Sequence, residues 1–206
     1  MRNDGVLKAI GLSALVWLAS MATKTALADE ARPNPPYKNW AAFNVGASST
    51  LKSVLVDHSS DDPNTIDTTA RPQGAAEQLT TYKLTQKTPE KVVIEQTDTD
   101  IEAGSETEHP AVKITYPATV STPKPSNADV SEVKEGEEEI EVAGKPTKVH
   151  WVESTVKIGG ETSMEKLWWT DAVPGGTVKL MTTKKQGDKV FFERTLTLVS
   201  FKTGND

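Results

Sequence analysis

From Glu139 to Phe201 the chain repeats one pattern five times: a stretch rich in β-branched, aromatic and alternating apolar residues, then a turn of Gly, Pro or Asp. The stretches are Glu139–Val142, Thr147–Ile158, Met164–Thr170, Thr177–Lys184 and Lys189–Phe201. Ala143-Gly144 and Gly159-Gly160 suit turns that need positive φ. Pro174-Gly175 fits a type II turn, Pro fixing φ at its second position and Gly taking the left-handed third. Gly187-Asp188 is a two-residue hairpin signal. Connections this short make consecutive strands antiparallel neighbours, so this third of the chain predicts a β-meander. No helical period of ten or more residues appears beyond the first thirty, which argues against helices flanking a parallel sheet.

Several of these strands are apolar on both faces. In Lys189–Phe201 alternation places Val190, Phe192, Leu196 and Leu198 on one side, and Phe191, Val199 and Phe201 on the other. Trp168 and Trp169 are adjacent, so their indoles must point to opposite faces. A flat sheet with one wet face leaves one of them in water. A curved sheet around a concave cavity, covered behind by a helix or long loops, shelters both. The expected fold is therefore mainly β: an antiparallel β-meander forming a curved sheet or half-barrel, preferred over a two-sheet sandwich.

Upstream, Asp29–Lys38 is Pro-rich and reads as an extended, solvated arm. Tyr37, Trp40 and Phe43 recur at helical spacing after Pro36 and before Gly46, predicting one short N-terminal helix over 36–43. Strands are expected at Leu51–Val56, Leu79–Gln86, Lys91–Thr97 and Ala111–Tyr116. Two stretches, Asp57–Gln78 and Pro117–Glu139, carry few apolar residues and are expected as long polar loops or linkers.

The first 28 residues read as a signal peptide, with residues 29–206 as a single β domain. Arg2 and Lys8 precede an apolar stretch from Ala9 to Met21, and Ala26-Leu27-Ala28 offers small residues for cleavage. The apolar stretch is too short to span a bilayer, and no second one approaches that length. The expectation is export, to a periplasm or the extracellular space, with no membrane span after cleavage. Cleavage would remove three cations and one anion, taking the net charge from −6 to −8. An acidic chain of this kind is a poor nucleic-acid partner, which needs clustered Lys and Arg. The absence of Cys excludes disulfides and thiolate chemistry, so stability rests on ordinary core burial.

The segment Trp168–Lys179, WWTDAVPGGTVK, resembles a W-x-x-x-x-V-P-G-G-x-x-K pattern in small uncharacterised secreted bacterial proteins. The order of strand, Pro turn, strand, Gly hairpin and long final strand loosely resembles the periplasmic lipoprotein-carrier (LolA-like) half-barrels, over about 60 residues. That resemblance implies a sheet curved around an apolar cavity for lipid-like or lipoprotein partners. The long stretch 117–139 departs from it, and no carrier-specific binding residue is matched.

Motifs for chemistry are sparse. Asp98-Thr99-Asp100-Ile101-Glu102 alternates carboxylates as a calcium loop does, but Ala103 and His109 stand where Gly and Glu are required, so a solvated acidic loop is expected. His58, His109 and His150 show no zinc spacing, and no nucleophile elbow or phosphate loop is present. The glutamates of 135–141 read as a solubilising face. Two features are candidate ligand-binding residues. Trp151, Trp168 and Trp169 supply apolar area plus indole N–H donors. Arg194, between Phe192 and Leu196 on one face, needs an acceptor if that face is buried, from a structural Glu such as Glu153 or Glu165, or from a ligand headgroup. A local bulge turning Arg194 outward is the other option. No catalytic residue, metal site or cofactor is expected. The leading expectation is a non-enzymatic exported protein binding an apolar or amphiphilic, lipid-like molecule or an envelope protein. A structural or interaction module of the envelope is the alternative, and a hydrolase using His58 and Asp61 a third.

Overall fold

The structure is a computed structural model that describes residues 31–58, 76–121, 129–158 and 160–204. The signal-peptide reading of residues 1–28, and most of the loop expected at 57–78, lie outside the described residues. Twelve strands and one helix follow in order: β1 (Ala31–Pro33), α1 (Pro35–Ala41), β2 (Ser48–Asp57), β3 (Ala76–Lys87), β4 (Lys91–Glu102), β5 (Ser105–Glu108), β6 (Val112–Pro117), β7 (Thr119–Ser121), β8 (Asp129–Val142), β9 (Lys145–Ile158), β10 (Glu161–Trp169), β11 (Thr177–Gln186) and β12 (Lys189–Lys202). The helix, expected over 36–43, runs from Pro35 to Ala41, with Pro in its first turn, where the missing N–H costs nothing.

Ten strands form one antiparallel sheet, in the order β5-β4-β3-β2-β12-β11-β10-β9-β8, with β6 also paired to β4. The sheet is curved and not closed into a barrel. Two meanders run outward from its middle, and the long-range pairing of β12 with β2 joins them. β1 and β7 form a separate two-stranded ribbon. The expected entry of the chain as a solvated arm is corrected at this point, since Ala31–Pro33 pairs with Thr119–Ser121.

Two polar stretches are also strand where loops were expected. β8 begins at Asp129, so the second half of 117–139 pairs along β9 from Lys157 to Lys148. Its glutamates are tolerated because β8 is the last strand of the sheet, where charge also opposes edge-to-edge association. Asp98–Glu102 is the end of β4, turning through Ala103-Gly104 into β5, rather than an acidic loop. In both places backbone pairing supplied by a neighbour outweighs low intrinsic strand propensity.

A bulge changes the faces of β12. Leu198 lies opposite Leu51 and Ser200 opposite Thr50, which leaves Val199 unpaired and 45% exposed. Beyond it the parity reverses, and Phe201 packs with Leu196 and Leu198 instead of on the opposite side.

The core consists of two clusters that share Tyr82. One gathers Leu51, Val142, Val149, Trp168, Val173, Val178, Leu196 and Leu198; the other gathers Trp40, Ala47, Leu84, Val92 and Ile94. α1 lies over the second, with Tyr37, Ala41 and Phe43 packed against it. The turn after β10 is the predicted type II turn: Gly176 N–H donates to Val173 O at 2.8 Å, and Gly175 has φ +80°. Its glycines have a second role. A Cβ on Gly175 would lie 2.9 Å from the Trp40 ring, and one on Gly176 2.8 Å from Asn39 Nδ2. The V-P-G-G segment is thus the seat of α1.

Candidate functional site

The four residues singled out in the sequence do not meet in one place. Trp168 and Trp151 stand directly opposite each other on β10 and β9, while Trp169 stands opposite His150. Alternation therefore sends Trp168 and Trp169 to opposite faces, as expected. Trp168 is buried, at 7% exposure, and its indole N–H donates to Glu138 Oε1. Lys166 Nζ lies 4.3 Å from the Trp151 ring centre and 4.7 Å from that of Trp168, and Lys179 Nζ lies 5.1 Å from Trp168. Trp151 in turn covers Gly136 of β8, where a Cβ would fall 2.7 Å from the ring. These two indoles are spent on holding the β8–β11 quarter of the sheet together through packing and cation–π contacts.

Trp169 has a different setting. It is half-buried and stacks on His150, with ring centres 5.4 Å apart and planes 29° apart. His150 Nδ1 lies 3.3 Å from Glu137. Two adjoining open depressions flank α1. One, of about 440 Å³, is lined by Pro33, Asn34, Tyr37, Lys38, Ala118 and Asp171 among others. The other, of about 310 Å³, is lined by Pro33, Pro35, Lys38, Asn39, Asp171, His150 and Trp169. The side of the sheet that Trp169 faces is thus the side on which α1 lies.

Arg194 is half-buried on the face of β12 that carries Leu196 and Leu198, opposite Thr182 of β11 and Leu55 of β2. Its partner is neither Glu153 nor Glu165: Nε donates to Ser53 Oγ at 3.1 Å, and no ion pair with a described carboxylate forms. No bulge interrupts β12 at Arg194, so the outward turn considered from the sequence does not occur.

Register extends this face into a polar band. Ser53, Leu51 and Ser49 of β2 stand opposite Gln78, Thr80 and Tyr82 of β3, which stand opposite Asp100, Asp98 and Gln96 of β4. Thr80 Oγ1 donates to Asp98 Oδ1 at 2.7 Å and Gln96 Nε2 to Asp98 Oδ2 at 2.9 Å. Gln78 Nε2 donates to Asp100 Oδ1 at 3.0 Å, and His109 lies 2.8 Å from Asp100 Oδ2. That hydrogen bond, with the Asp100 charge, raises the His109 pKa above its usual 6.5. Burial raises the Tyr82 phenol to about 12; Asp98 and Tyr116 add to the shift and Arg194 opposes it. Tyr82 is therefore a neutral O–H donor at any physiological pH. Burial likewise raises Tyr116.

Ser53 and Lys166 did not stand out in the sequence, Tyr82 was read only as a strand residue, and Asp98 only as part of an acidic loop. Their roles come from pairings between strands far apart in the chain, such as Arg194 with Ser53 across 141 positions. The hydrolase candidate His58 faces Glu193 at 3.2 Å, and Asp61 lies outside the described residues.

No family model matches the chain, and no curated protein matches it. Among solved structures, a Bacteroides fragilis protein with a YmcC-like fold is similar, with a TM-score of 0.44 and 12% identity, covering 78% of this chain and 97% of that chain. Among the described residues no helix is long and apolar enough to cross a membrane.

Proposed function

We propose that the chain is an exported, non-enzymatic binding protein that takes an apolar or amphiphilic molecule, or an envelope partner, against the α1 side of its curved sheet. The observation that carries this reading is the unequal covering of that face. α1 closes the end lined by Leu84, Val92 and Ile94, all at 0% exposure. Toward the other end Leu55, Phe192, Leu180 and Arg194 remain half-buried, and Lys184, opposite Phe192, lies over that ring, so apolar groups adjoin two cations. That mixture suits a molecule with an apolar body and a polar head. The leader, with its positive start, apolar stretch and Ala-Leu-Ala, supports export.

Native mass spectrometry of the full chain produced in an exporting host, followed by solvent extraction, tests the reading. The expected result is a shortened chain beginning at Asp29 that retains a discrete lipid-like molecule. An uncleaved chain refutes export. A bare mass that stays bare after incubation with an envelope lipid extract refutes small-molecule binding and leaves the interaction module. The open depressions beside α1, with Trp169 on their wall, are where that second reading places a protein partner.

A further inference from the structure

Among the described residues, the half-buried Arg194 guanidinium is held only in part. A guanidinium has five N–H donors in a planar fork. Here Nε is held by Ser53 Oγ, itself 5% exposed, and no described carboxylate pairs with the rest. Anchoring through Nε leaves the Nη1/Nη2 edge, whose two parallel donors match the two oxygens of a carboxylate or phosphate. A half-buried cation with no counter-charge among the described residues gains most from such an acceptor, because screening by water is reduced there.

None of the acidic groups on this face forms an ion pair with Arg194 among the described residues, including Asp57, which stands opposite Phe192, and Glu161, which lies 3.6 Å from Lys184. Asp98 takes donors from Thr80 and Gln96, and Asp100 from Gln78 and His109. Glu165 stands opposite Thr182, one strand beyond Arg194, and is exposed. Glu193 is adjacent in sequence, points to the other face and meets His58. Around the guanidinium the directly opposed residues are a hydroxyl, Thr182, and an apolar side chain, Leu55, with Phe192 and Leu196 two places away along β12.

We propose that the outer edge of the Arg194 guanidinium binds the oxyanion of a bound molecule, a carboxylate or a phosphate, with Ser53 setting its direction and Leu55 and Phe192 meeting the apolar part next to it. The inference rests on the proposed binding role and names the headgroup chemistry of the ligand.

The side-chain Nε–Hε signals of the ¹⁵N-labelled protein give a direct readout, since the whole chain has four arginines, and loss of one signal in Arg194→Lys assigns it. The probes are dodecanoate, dodecyl phosphate, inorganic phosphate and the uncharged dodecyl maltoside. The expected result is a saturable shift of the Arg194 signal with both anionic amphiphiles. Arg194→Gln is expected to weaken their binding at least tenfold without changing that of the maltoside. Ser53→Ala, which keeps the charge and loosens its direction, is expected to weaken binding a few-fold, and remains informative if the Gln variant does not fold. A shift with inorganic phosphate alone supports a site for a free oxyanion rather than a lipid head. Amphiphiles that bind equally well to wild type and Arg194→Gln overturn the headgroup assignment while leaving the binding role intact. Absence of binding by every probe overturns both.

Discussion

Replacing Gly175 by Ala tests whether the V-P-G-G turn seats the helix. Two independent costs arise there. Gly175 has φ +80°, a conformation in which an L side chain costs roughly 1–2 kcal/mol. The new methyl would also stand 2.9 Å from the Trp40 ring, which is 5% exposed and cannot swing into solvent. Overpacking of that kind costs about 1–3 kcal/mol. The lower entropy of an unfolded chain with Ala returns about 0.5–1 kcal/mol. The net loss is roughly 2–4 kcal/mol, a fall in Tm of about 4–16 °C for a domain of this size. Gly187→Ala is the control, because its φ is +61° and nothing lies within 4 Å of the added Cβ. It carries the backbone cost alone and is expected to lose about 1 kcal/mol. Urea unfolding of the two variants, with Trp emission as the probe, isolates the steric part as their difference. Equal destabilisation of the two would refute the packing of Trp40 on Gly175, and with it the placement of α1 against the turn.

Gly136→Ala puts a methyl 2.7 Å from the Trp151 ring without any positive φ, so a loss of about 1 kcal/mol is expected, and Trp151→Leu in the same chain should abolish most of it in a double-mutant cycle. Glu138→Ala removes the acceptor of the buried Trp168 N–H and is expected to cost about 1–2 kcal/mol by urea unfolding, with a shift in Trp emission. Tyr82 has a folded pKa raised to about 12, so its contribution to stability is complete below pH 10 and is lost as pH climbs through the folded value. That loss amounts to about 3 kcal/mol by linkage, and Tyr82→Phe should abolish this part of the alkaline destabilisation in melts across that range. His109 also titrates above its unfolded value, so its contribution is present on the acid side and is lost as pH rises through the raised pKa. Asp100→Asn should move the His109 NMR titration back toward 6.5.

Much of the architecture was legible because local chemistry and tertiary need agree in the second meander. Alternating strands from Lys145 to Lys202 joined by Gly and Pro turns leave little choice of neighbour, and Pro36 with Tyr37, Trp40 and Phe43 marks a helix wherever it docks. Hidden from that reading were features set by the neighbours. Asp129–Glu139 looks like linker because its residues disfavour strands, and becomes strand because β9 offers a full row of partners at an edge where charge is harmless. Phe201 changes side because one extra residue, Val199, is looped out, and a period-2 pattern carries no sign of where such a slip falls.

The same division runs through the candidate site. The sequence alone determined that Trp168 and Trp169 diverge, since adjacent residues on a strand cannot share a face, and that Arg194 lies among apolar neighbours on its own strand. Only the tertiary structure decided that Trp168 is held by Glu138, Lys166 and Lys179, that Trp169 borders the depressions by α1, and that Arg194 meets Ser53 rather than a glutamate. Strand periodicity is a local property of a few residues. Which side chain meets Arg194 depends on the pairing of β12 with β2, at opposite ends of the chain, and no local pattern encodes that choice.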